Sequence, residues 1–95
     1  MLNLESIKLQ RSNIYAKAEK CGISNIRIFG SVARGDAHEG SDLDLLVDVK
    51  PGSGIGFIRF AHEIEDMFHC KVDLITDTSI KEILRENILN EAVPL

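Results

Sequence analysis

Leu4, Ile7, Ile14, Ala18 and Cys21 fall on one helical face, a pattern that predicts a first helix ending near Gly22. Arg11 interrupts that stripe and predicts partial exposure at its middle. Ile26–Phe29 reads as a short strand stopping at Gly30-Ser31, followed by a short helix over Val32–Gly35 and a loop over Asp36–Ser41. Leu43–Val49 reads as a second strand, and the glycine-rich stretch 51–56 as a loop. Phe57, Phe60, Ala61, Ile64, Met67 and Phe68 then mark one face of a helix, and Lys71–Thr76 a third strand. Ser79 and Glu82 have the spacing of a capping box, which predicts a last helix burying Ile80, Ile83, Leu84 and Ile88. The order α-β-(short α)-β-α-β-α implies an α/β fold: a small mixed sheet of three or more strands flanked by helices. The apolar stripes read as core throughout, because a small domain needs them. The apolar tail Ala92–Leu95 either frays or docks onto a partner.

Composition narrows the class. Ninety-five residues with 44% hydrophobic and 27% charged positions are expected to form one globular domain over 1–95. No stretch approaches the length of an apolar membrane span, and no basic segment leads into an apolar run at the start. Cys21 and Cys70 match no metal-ligand spacing, so the expected setting is a reducing cytoplasm. The net charge is −4 and the basic residues are scattered, which argues against long DNA or RNA as a partner. A small anion could still bind through backbone dipoles and a divalent cation.

The chemistry lies in residues 30–44, GSVARGDAHEGSDLD. Gly30 lets backbone or phosphate approach closely. Ser31 stands at the start of a short helix, where free amides and a hydroxyl suit the outer phosphates of a nucleoside triphosphate. Asp42 and Asp44 lie two apart, so their side chains leave one face of a strand while Leu43, Leu45, Val47 and Val49 point into the core. Two carboxylates this close repel unless a cation lies between them, and their hard oxygens suit Mg²⁺. Asp73, set between Val72 and Leu74, offers a third carboxylate. A crossover through the preceding helix would make the second and third strands parallel and bring Asp44 and Asp73 to one sheet edge. Gly30-Ser31 reaches that edge only if the first strand is antiparallel to the second.

Each piece also has a plain structural reading. Gly30-Ser31 serves equally as a strand-to-helix turn, and Asp42-x-Asp44 as a solvated strand edge. Arg34 either holds phosphate or pairs with Asp36 or Glu39. Asp48 shares the acid face but lies one step too far along it. His38 reads as a loop residue, and His62 and His69 show no ligand partner at suitable spacing.

Taken together, the run GSVARGDAHEGSDLDLLVD resembles the signature of polymerase-beta-type nucleotidyltransferases: Gly-Ser, ten residues, then Asp-x-Asp. KVDLITD (71–77) and ILNEAVPL (88–95) are similar to the minimal, MntA-like branch of that family, so the likeness extends over essentially the whole chain. The resemblance implies a nucleotidyltransferase core that takes ATP as donor, with two Mg²⁺ ions held by Asp42, Asp44 and Asp73. Asp73 would also be the candidate general base, and Gly30 and Ser31 would contact the triphosphate. It further implies a protein adenylyltransferase that acts as a type VII-like antitoxin. Such an antitoxin pairs with a helical HepT-like toxin, with which it could assemble into an oligomer, and adds AMP to a toxin tyrosine. An antitoxin that neutralises by occlusion alone is the alternative. The glycine-rich stretch 51–56 finds no counterpart in the family pattern.

Overall fold

The computed structural model describes residues 2–95. Its elements are α1 (Leu4–Leu9), α2 (Arg11–Cys21), β1 (Ile23–Phe29), α3 (Gly30–Arg34), β2 (Leu43–Val49), α4 (Gly54–Phe68), β3 (Val72–Thr76), a 3₁₀ turn (Asp77–Ser79), α5 (Glu82–Glu91) and β4 (Val93–Pro94). The strands form one mixed sheet in the order β3-β2-β1-β4. β2 runs parallel to β3, and β1 runs antiparallel to both β2 and β4. The α/β reading therefore holds, with a fourth strand added.

That fourth strand resolves the tail. Val93 and Pro94 pair with Ile28 and Arg27, the Leu95 amide donates to the Ile26 carbonyl at 3.0 Å, and the Leu95 side chain is buried. The C-terminal residues belong to this chain's own core.

The first helix is two helices. Gln10 leaves helical geometry (φ −97°, ψ 10°), closing α1 and opening α2, and the change of direction carries Arg11 outward. Its guanidinium lies 5.0 Å from the Tyr15 ring centroid and its Nε donates to the Leu95 carbonyl at 3.3 Å. Ile7, Ile14, Ala18 and Cys21 stay buried on either side of the break.

One face of the sheet carries the core. Ile28 of β1 and Leu43, Leu45 and Val47 of β2 pack with Ile7, Ile14, Phe60 and Ile64 from the helices. β1 starts at Ile23, earlier than its pattern suggests, because the register slips between Ser24 and Arg27 where Asn25 adopts a positive φ of 50°. Such a bulge adds a residue and hides the alternation. The stretch 51–56 is likewise shorter as a loop, since α4 begins at Gly54. Gly56 sits against the Cys21 carbonyl, and a Cβ there would overlap it, so this glycine sets how closely α4 approaches α2.

The last helix departs from expectation. Ser79 does not cap it; its Oγ instead accepts from the Thr76 amide at 3.1 Å and donates to the Thr76 carbonyl at 2.9 Å, closing the 3₁₀ turn. No residue of α5 is buried, and Ile83 is 85% exposed. A cavity lies between Asp44 and the Leu84 and Ile88 side of α5, so that part of the stripe faces open space rather than a core. Ion pairs secure α5 at both ends: Arg85 with Asp77 at 2.9 Å, and Arg34 with Glu91 at 2.9 Å.

Truncating Phe60 to Ala should cost about 3–5 kcal/mol, as for other large core aromatics. Ile83→Ala should change stability by less than about 0.5 kcal/mol, as expected of an exposed position. Urea unfolding of both variants checks the pair, and comparable losses would place α5 back in the core.

Candidate active site

Three strand ends meet at one edge. In the sheet register Phe29 pairs with Asp44, and Asp44 pairs with Asp73. Residues paired across neighbouring strands present their side chains on one face. The two strand acids are therefore direct neighbours, and Asp42 precedes β2 by one residue. The Leu43 amide donates to the Lys71 carbonyl at 2.9 Å, and Glu65 of α4 accepts from the Val72 amide at 3.0 Å. These bonds fix the start of β3 and hence the place of Asp73.

At the end of β1 the chain turns through Gly30 into α3. Gly30 is glycine for two reasons. Its φ is +75°, where side chains are disfavoured, and a Cβ would run into the Asp44 carboxylate. Ser31 follows on the first turn of α3, whose end is closed by Gly35 in the left-handed region (φ 81°). A cavity of about 710 Å³ is lined by Gly30, Ser31, Arg34, Asp42 and Asp44 on one side and by Leu84, Ile88 and Glu91 of α5 on the other.

The electrostatics reflect the crowding. Asp44 is raised from 3.8 to about 6, first by partial burial, then by the carboxylates of Asp73, Asp42 and Glu91, with Arg34 opposing. Asp73 is exposed and Asp42 partly so. Among the described residues, no three His, Cys, Asp or Glu side chains stand grouped so as to hold a metal ion. The acids share an edge, and a cation would have to draw them together.

The remaining candidates separate cleanly. Arg34 pairs with Asp36 at 3.3 Å and with Glu91, not with Glu39. Asp48 accepts from Arg27 at 3.2 Å and Asn25 at 3.1 Å, so it braces the bulge of β1 away from the site. His38 belongs to the loop, its amide donating to Ser41 Oγ at 2.8 Å. Glu91 is the residue that sequence reasoning missed. Its Oε1 accepts both the Gly30 amide and Arg34 Nη1. Nothing in its spacing marks it, because the contact spans 61 positions.

The chain is similar to known proteins in sequence and fold. A family model described as a nucleotidyltransferase domain matches residues 12–95. The protein adenylyltransferase MntA of Thermococcus cleftensis is 35% identical over 95 residues, spanning 98% of this chain and 96% of its own. A solved structure provisionally assigned as a minimal nucleotidyltransferase superposes with a TM-score of 0.84 at 36% identity, covering 98% of this chain and 96% of that one. One chain of a solved complex between a tri-AMPylated Shewanella oneidensis HEPN toxin and an MNT antitoxin shares the fold, with a TM-score of 0.65 and 18% identity over 92% of this chain and 69% of that one. The chain belongs to the nucleotidyltransferase family, in its minimal MntA-like branch. It is an enzyme of the protein adenylyltransferase class. Among the described residues, no helix is long and apolar enough to cross a membrane.

The raised Asp44 gives a pH signature. A carboxyl held above its unfolded pKa favours folding while protonated, and that contribution is lost as pH rises through the folded value near 6. Asp44→Asn should therefore raise the melting temperature above pH 6, with the gain fading towards pH 4, where both proteins carry a neutral side chain. Thermal scans across that range, without divalent cations, test it; a gain equally large at pH 4 would mean the effect is not ionisation.

Proposed function

We propose that this enzyme, acting as a single domain of residues 1–95 in the reducing cytoplasm, transfers AMP from ATP to a tyrosyl hydroxyl of a cognate HepT-like helical toxin. It thereby serves as the antitoxin of a type VII-like pair. The observation that carries the reading is the direct pairing of Asp44 with Asp73, beside Asp42 and against Gly30. The relative MntA, named a protein adenylyltransferase, supports the reaction class, and the fold shared with the AMPylated toxin complex supports the choice of acceptor to test.

The residues fit a hard divalent cation. Their donors are carboxylate oxygens, and Asp44, raised first by partial burial, is raised further by neighbouring carboxylates that a counter-ion would offset. Mg²⁺, as two ions held by Asp42, Asp44 and Asp73, would supply positive charge to the phosphate oxygens and to the attacking and leaving oxygens. The chain's own residues do the rest. Gly30, Ser31 and Arg34 line the cavity, and their donors would hold the outer phosphates in line. Asp73, exposed and paired with Asp44 on the neighbouring strand, accepts the proton of the acceptor hydroxyl. The acceptor oxygen bonds to the α-phosphorus, the bond to the β-phosphate bridge breaks, and pyrophosphate leaves.

Purified protein incubated with its cognate toxin, Mg²⁺ and ATP should yield toxin heavier by whole AMP units in intact-mass spectra. The Asp42→Asn/Asp44→Asn double variant should modify toxin at least about a hundredfold more slowly, the scale of lost electrostatic stabilisation in such sites. Undiminished modification by that variant rejects these acids as the machinery. Toxin that is silenced without gaining mass, and recovers on removal of the antitoxin, would identify occlusion instead.

A further inference from the structure

The seat assigned to polyphosphate already holds an anion. Glu91, the last residue of α5, places one carboxylate oxygen on both the Gly30 amide and Arg34 Nη1, the latter at 2.9 Å. The Glu91 side chain is only 25% exposed. It also adds to the negative field that raises Asp44. A phosphate oxygen and this carboxylate cannot share the Gly30 amide, since one N–H directed at one oxygen leaves no second site. Arg34 already holds a second carboxylate, Asp36 at 3.3 Å, so a phosphate there would meet two anions and is best admitted when Glu91 leaves.

Resting on the proposed function above, we propose that Glu91 is a built-in competitor for the triphosphate. It holds the Gly30–Arg34 seat in the nucleotide-free protein and must swing out for ATP to enter. Glu91 is thus a positioning residue that sets nucleotide affinity. Its placement also links the seat to the C-terminus. Val93 and Pro94, just beyond it, pair with β1, and the Leu95 carbonyl accepts from Arg11 at 3.3 Å and from Tyr15 Oη at 3.4 Å. The tail is anchored there, so the release falls to the Glu91 side chain and the last turn of α5. That helix buries no residue, so little apolar packing opposes such a movement.

The test is titration calorimetry of wild type, Glu91→Gln and Glu91→Ala with MgATP and, separately, with magnesium tripolyphosphate. Removing the competitor should tighten binding by about tenfold in Glu91→Ala, the scale of one charge-assisted hydrogen bond, and less in Glu91→Gln, which keeps an acceptor but loses the charge. The gain should appear equally with tripolyphosphate, which lacks a nucleoside, because the contest is over phosphate. In toxin modification, KM for ATP should fall while kcat stays within about twofold. A variant that merely loosened the fold would weaken binding or lower kcat. Wild type that binds both ligands while neither folded variant binds more tightly would overturn the competitor role and leave the proposed function standing. If no protein of the set binds either ligand, the proposed function falls and Glu91 falls with it.

Discussion

The contact on which the site depends is between a glycine and a carboxylate. Asp44 leans into space that any side chain at position 30 would fill, and the positive φ of Gly30 is what turns β1 away from the sheet. One residue thus does two tasks: it leaves room for an acid and starts the helix that carries Ser31 and Arg34. A carboxylate and the Gly30-Ser31 turn are thereby held at contact distance with few residues spent. In a chain this short, such economy matters, because less of the surface can be buried in a core.

The second acid arrives by topology. β2 and β3 are parallel, so the chain between them must return along the sheet, and α4 is that crossover. The return brings Asp73 alongside Asp44, while Phe60 and Ile64 of the same helix fill the core beneath. The apolar face of α4 and the acid edge of the sheet are thus consequences of one segment. By contrast α5 buries none of its own residues, and ion pairs at its ends hold it. Stability is therefore uneven across the two faces, and the looser one adjoins the cavity.

This asymmetry also explains what could be read from the sequence. The acid pair, the Gly-Ser turn and the parallel pairing of β2 with β3 were legible because period-two alternation in Leu43–Val49 and the crossover rule depend on local pattern and handedness alone. The stripe at Ile83, Leu84 and Ile88 misled because its spacing looks the same whether the helix faces a core or a cavity. The bulge at Asn25 masked the start of β1, and the break at Gln10 divided a stripe that looked continuous. β4, two residues long, carries no periodicity to detect. Glu91 was invisible for a deeper reason: its meaning lies in meeting Gly30, and only the folded chain sets that distance.

The clustering of like charges is a cost to the fold, and its placement is informative. Asp44 is raised by burial and by three neighbouring carboxylates, so its ionised form works against the native state at neutral pH. Apolar or amide side chains at these positions would relieve that cost without disturbing the core face of β2. Retaining acids at Asp42, Asp44 and Asp73 makes physical sense if something positively charged completes the cluster, turning mutual repulsion into shared attraction. Glu91 fits the same logic from the opposite side. It is an anion that satisfies Gly30 and Arg34 while adding to the negative field at Asp44. A site divided in this way, cation-seeking at the strand edge and anion-holding at the turn, matches the two ends of one ligand: phosphate oxygens for the turn and the metal ions that accompany them for the acids.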